Sequence, residues 1–108
     1  MSSHDELARA LRELKTTLIE AELWEVSPPD PQAFDSQQPF CVDTMVLPQW
    51  LRYVFMARLQ ALVDARATLP ASCAVAPAME VWLKDVPASR REPVVRELAA
   101  VDRIVTQA

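Results

Sequence analysis

The chain has 108 residues, with 51% hydrophobic and 24% charged side chains, 15 Asp and Glu against 11 Lys and Arg, and a net charge of −4. That length suits one domain over residues 1–108, and that apolar content excludes a chain that stays unfolded for want of a core. The negative balance opposes loose attraction to nucleic acid or to an anionic membrane.

There is no glycine and no asparagine. Phosphate-cradling loops, dinucleotide fingerprints and the nucleophile elbow all need glycine for close backbone approach or tight turns, so none of these sites can be built. Tight β-hairpins lose their favoured turn residues in the same way.

In chain order, Ser3 with Glu6 forms a capping-box pattern, and Leu7, Leu11, Leu14, Leu18 and Ala21 recur at steps of four and three. This predicts a first amphipathic helix. It ends near Trp24 to Ser27, because Pro28, Pro29 and Pro31 remove donors and push preceding residues out of the α region. A Pro-rich connection follows to about Asp43, long for a helical domain. Phe34, Phe40 and Met45 are expected to pack it over the core, the alternative being an exposed platform for a partner.

A second helix starts between Thr44 and Pro48 and runs to about Arg66, with Leu51, Val54, Phe55, Leu59, Leu62 and Val63 on an apolar arc. At about 100° per residue from Trp50, Leu51 falls near ~100°, Phe55 near ~140° and Arg58 near ~80°. This reading puts an arginine inside the apolar face. Pro70 closes the region, and a third helix opens at Pro77 and runs to about Asp85, with Met79, Trp82, Leu83 and Val86 on its apolar side. The fourth begins at Ser89 or Glu92 and carries the stripe Val94, Leu98, Val101 and Val105. Four segments with one apolar stripe each predict an all-α fold, a small four-helix bundle with a long Pro-rich connection between helices 1 and 2.

The blocks QPFCVDTM (Gln38 to Met45), WLRYVFMARLQALVD (Trp50 to Asp64), Leu69-Pro70 and AVAPAME (Ala74 to Glu80) fall in one order that resembles the YqcC-like family of small bacterial helical proteins. Ala57 stands before Arg58 where some relatives have proline. The resemblance implies a mostly helical bundle and no established activity. It also implies a functional link to a tRNA pseudouridine synthase, whose name some members carry by association. The arginine-leucine-aspartate sequence typical of such synthases is missing, and Asp43 is not that aspartate.

No catalytic constellation stands out. His4 is the sole histidine and lies in a first turn expected to fray, so a serine or cysteine nucleophile lacks a positioned base. Cys41 and Cys73 are 32 positions apart with no ligand spacing, and read as free thiols. No metal site and no cofactor are expected. Arg90, Arg91, Arg96 and Arg103 are interleaved with Glu92, Glu97 and Asp102, which reads as a solvated face rather than a nucleic-acid contact.

The sharpest candidate is Arg58, whose burial would demand a carboxylate partner; Asp43 and Glu80 are the named ones. Tyr53 with Met56 nearby forms the second candidate, an exposed patch on the second helix, and Trp50, Tyr53, Trp82, Phe34 and Phe40 either belong to the core or make an aromatic binding surface. The sequence therefore reads as a cytoplasmic, non-enzymatic module that binds another protein or itself through the second helix and the connection. The alternative is a small-ligand-binding or tRNA-modification-associated role centred on Arg58. No segment reaches the length needed to cross a bilayer.

Overall fold

Among residues 2–108, which the computed structural model describes, the chain forms four helices and no strand. Helix α1 spans Ser3–Glu20. Helix α2 is continuous but not uniform, with α-helical Leu47–Trp50, a π-helical stretch Leu51–Met56 and α-helical Ala57–Asp64. Helix α3 is the short Ala76–Trp82, and α4 is the long Ala88–Gln107. The expected bundle is the observed one.

Helix α1 starts one residue earlier than the Ser3 and Glu6 pattern suggested. Ser2 is the cap: its hydroxyl accepts the Asp5 amide at 3.2 Å, and Asp5 in return accepts the Ser2 amide at 3.4 Å. This end is tied down rather than frayed. Arg66, just past α2, donates to Ser2 Oγ and to Asp5 Oδ1, each at 2.9 Å, and His4 Nε2 lies 2.6 Å from the Ala67 carbonyl oxygen. Together these contacts hold the start of α1 against the end of α2.

Without glycine, helix ends that turn left-handed must use side-chain-bearing residues. Glu22 after α1 (φ 62°) and Arg66 after α2 (φ 53°) do so. In each case the next amide closes the turn, Leu23 on the Leu18 carbonyl and Ala67 on the Leu62 carbonyl, both at 2.9 Å. Phe40 and Cys41 adopt the same region within the connection.

The core gathers the expected stripes. Leu7, Leu14, Leu98 and Val101 are fully buried between α1 and α4, joined by Leu51 and Leu59 of α2 and Met79 of α3. A smaller cluster of Ala33, Cys41 and Met45 packs with Trp50 and Val54, and this seats the connection on α2. The connection contains two 3-10 turns, Pro31–Asp35 and Pro39–Cys41. Met45 packs as expected, but Phe34 does not: it remains 44% exposed.

The π-helical stretch corrects the helical phase of α2. A π turn takes in about one residue more than an α turn, so residues beyond Met56 lag an ideal α-helix by about 100°. Leu59, at the edge of the apolar arc at about 180°, is thereby brought to its centre at about 80°. Leu59 is 2% exposed. The lag accumulates through the stretch and is nearly complete at Met56, so it carries Met56 into the apolar face and Arg58 out of it, the reverse of the sequence expectation for both.

At α4, Pro93 lies inside the helix, and neither Ser89 nor Glu92 caps it. The amides of Arg90 and Arg91 bond the Pro87 carbonyl instead, at 3.0 Å each.

Candidate functional site

Two short runs of chain leave large apolar side chains in solvent, and they face one another. On the connection, Val42 is 70% and Val46 51% exposed; on α3, Val81 is 69% and Trp82 46% exposed. Between them lies a groove of about 300 Å³, with Phe40, Met45 and Leu47 on the connection side and Ala78 on the α3 side. Most of its lining is apolar. Scattered surface valines need no explanation, but here the exposed apolar side chains are contiguous along one groove.

Both walls are bonded to the body of the fold. On the connection, Phe40 stands edge-on to Trp50 at 4.8 Å between ring centroids, and Trp50 stacks on Phe55 at 5.4 Å, so the wall rests on α2. Thr44 Oγ1 donates to the Ala33 carbonyl at 2.8 Å, the Met45 amide donates to the Cys41 carbonyl at 3.0 Å, and the Ser36 hydroxyl donates to Asp43. These bonds hold Val42 and Val46 outward while Cys41 and Met45 turn in. The consecutive left-handed residues Phe40 and Cys41 make that reversal, a costly conformation for side-chain-bearing residues.

The α3 wall is fixed from behind by Asp102 of α4, the buried charged residue among those described. Its carboxylate accepts the Val75 amide at 2.9 Å, the Ala76 amide at 2.8 Å and the Cys73 thiol at 3.0 Å. A side chain distant in sequence thus caps α3. Sequence spacing groups Asp102 with the solvated charges of its helix; nothing in it signals that this carboxylate, rather than Glu92 or Glu97, turns inward. Desolvation, followed by the hydrogen bond to Asp102, pushes the Cys73 thiol up to about 12, so it stays protonated at neutral pH.

The residues singled out from the sequence are not gathered in one place. Arg58 is exposed and, among the described residues, makes no ion pair with Asp43 or Glu80, which are themselves exposed. Met56 is buried at 7% exposure, so it contributes to the core and not to a surface patch. Tyr53 is half-buried and donates to the Val26 carbonyl at 2.9 Å. Trp50 is half-buried behind Phe40. Asp43 and Glu80 do not line the groove, although each adjoins a lining residue in the chain, Val42 and Val81.

The arginine that α2 embeds is Arg52. Its guanidinium lies 4.2 Å from the Trp24 ring and 5.0 Å from the Tyr53 ring, and donates to the Trp24 carbonyl at 2.7 Å. Gln49, one turn earlier, donates to the Ser27 carbonyl at 3.1 Å. Gln49, Arg52 and Tyr53, spaced i, i+3 and i+4, therefore capture three carbonyls of the segment leaving α1. Arg90 and Arg91 are similarly spent on backbone carbonyls, Arg90 on Ala21 at 2.7 Å and Arg91 on Val86 at 3.0 Å.

Among the described residues no three His, Cys, Asp or Glu side chains gather so as to hold a metal ion, and no helix is long and apolar enough to cross a membrane.

Fold and groove together define the class: a small four-helix bundle that presents an apolar groove beside a long connection. The chain belongs to the family whose model is described as tRNA pseudouridine synthase C, which matches residues 6–104. It is 36% identical to the uncharacterized protein YqcC of Escherichia coli K12 over 105 residues, 96% of this chain and 94% of that one. The solution NMR structure of E. coli YqcC superposes with a TM-score of 0.83 over 98% of this chain and 90% of that chain. An uncharacterized protein of Haemophilus influenzae is 39% identical over 75 residues, 69% of this chain and 71% of that one. A Pectobacterium carotovorum protein named tRNA pseudouridine synthase C is 39% identical over 72 residues, 67% of this chain but 19% of that protein.

Proposed function

We propose that this chain is a non-enzymatic interaction module whose groove between Val42–Leu47 and Ala78–Trp82 receives an apolar segment of another protein. The observation that carries the reading is the groove itself, with four large apolar side chains held in solvent by walls whose backbone is bonded in place. A site formed before binding orders little chain on binding, which favours affinity. At about 300 Å³ it lies at the lower edge of the size that encloses a small molecule, and it suits side-chain anchors.

The histidine and the two cysteines are otherwise engaged, which supports a binding role. His4 is held against the Ala67 carbonyl, Cys41 is buried and Cys73 is kept as the thiol. The alternative centred on Arg58 has less support, since among the described residues neither Asp43 nor Glu80 pairs with it.

The first partner to test is a tRNA pseudouridine synthase. In the Pectobacterium protein of that name the matching stretch is a minor part of a much longer chain. A module joined to a larger chain in one relative is suited to act beside a similar chain elsewhere.

The experiment is site-specific photo-crosslinking in the native cell, with the crosslinker at Val42 or Val81 and a control at exposed Arg58. Discrete adducts from the groove positions alone are the expected result. Adducts of equal yield from Arg58, or none from the groove, would contradict the reading.

A further inference from the structure

Charge around the groove specifies its occupant more closely, given the reading that the groove binds a protein segment. Between positions 16 and 51 the chain has no Lys or Arg, while Glu20, Glu22, Glu25, Asp30, Asp35 and Asp43 all fall there. Three of the six, Asp30, Asp35 and Asp43, fall within the connection itself, which carries no Lys or Arg, so the connection is acidic. Asp43 adjoins Val42 on one wall, and Glu80 adjoins Val81 on the other; both carboxylates are exposed. Lys84, Arg91 and Glu92 share the surface beside Glu80, so the α3 wall is mixed, while Asp43 is, among the described residues, the one charge next to the connection wall.

We infer that the groove takes a basic amphipathic segment of a different protein, with bulky apolar side chains seated against Val42, Val81 and Trp82 and Lys or Arg beside them reaching Asp43 and Glu80. The apolar contact supplies the anchor, and the acidic rim speeds encounter and selects by sign. A second copy of this chain is a poor occupant, because an isologous pairing would set one acidic connection against the other. An anionic lipid surface is repelled for the same reason.

The test pans a library of random peptides of about 16 residues, enough for about four helical turns, on the full chain. A counter-screen uses the Val42→Ser/Val81→Ser double variant. Peptides that need both valines are expected to be net positive with at least two large apolar residues. Their affinity should fall roughly threefold or more in Asp43→Asn/Glu80→Gln at low salt, and differ little from the unaltered chain at about 0.5 M salt. The Asp43→Asn change keeps an oxygen acceptor for the Ser36 hydroxyl, so the loop is preserved. Valine-dependent peptides that are neutral or acidic would overturn the charge inference while leaving the groove reading standing. If no enriched peptide depends on the valines, both fail. Valine-dependent binding of phosphatidylglycerol vesicles in place of peptides would overturn both in favour of a membrane site.

Discussion

Asp102, near the C-terminal end of α4, accepts the Ala76 amide at 2.8 Å, and this bond sets the first turn of the helix that carries one wall of the groove. Asp102→Ala would leave the Val75 and Ala76 amides buried without an acceptor. At roughly 1–3 kcal/mol for an unsatisfied buried group, a loss of about 3 kcal/mol is expected in urea unfolding. Asp102→Asn keeps one acceptor oxygen and should lose less. Equal losses for the two variants would show that the amides are not what the carboxylate serves.

Arg52 and Arg58 invert the importance that sequence periodicity assigns them. Arg52→Ala removes a charged hydrogen bond and two ring contacts, and should cost about 2 kcal/mol. Arg58→Ala changes an exposed side chain and should stay within about 0.5 kcal/mol of the unaltered protein. Chemical denaturation of the pair checks both, and a larger loss at Arg58 would mean that the phase lag of the π turn is misassigned.

Glu22 holds a left-handed conformation that glycine adopts freely. The strain is worth roughly 1–2 kcal/mol, and glycine returns roughly 0.5–1 kcal/mol of it through unfolded-state entropy. Glu22→Gly should therefore stabilise the fold by about 0.5–1 kcal/mol, partly offset by losing the exposed contact to Arg90 at 3.5 Å. A higher melting temperature is the expected readout.

Cys73 has a pKa raised from 9.0 to about 12 in the folded protein. The folded state therefore favours the thiol, and the contribution is present below pH 9 and lost as pH rises through 12. Between those values the unaltered protein should lose stability faster than Cys73→Ser, as followed by melting temperature against pH. At pH 8 an alkylating reagent should modify Cys73 slowly until the chain is unfolded.

The bundle was legible because its stripes are long: Leu7 to Leu18 and Val94 to Val105 keep helical spacing for several turns, and prolines mark most of the breaks. The site was less so. A constant 100° per residue cannot register the π turn at Leu51–Met56, and that one deviation displaced both Arg58 and Met56. Capping by Asp102 reaches across more than twenty residues and leaves no local pattern. The groove left a partial trace, since Met79, Val81, Trp82 and Leu83 spread apolar side chains around more of α3 than one core-facing stripe needs. Which of them would stay in solvent depended on where the connection lay.

The groove is separable from the fold, because Val42 and Val81 are about 70% exposed. The most direct measurement compares Val42→Lys/Val81→Lys with the unaltered chain in two assays on the same preparation: thermal unfolding and retention of the partner crosslinked from Trp82. Stability within about 0.5 kcal/mol together with loss of the adduct is the predicted result. Retention of the adduct by a folded double variant would contradict the assignment of the groove as the partner site.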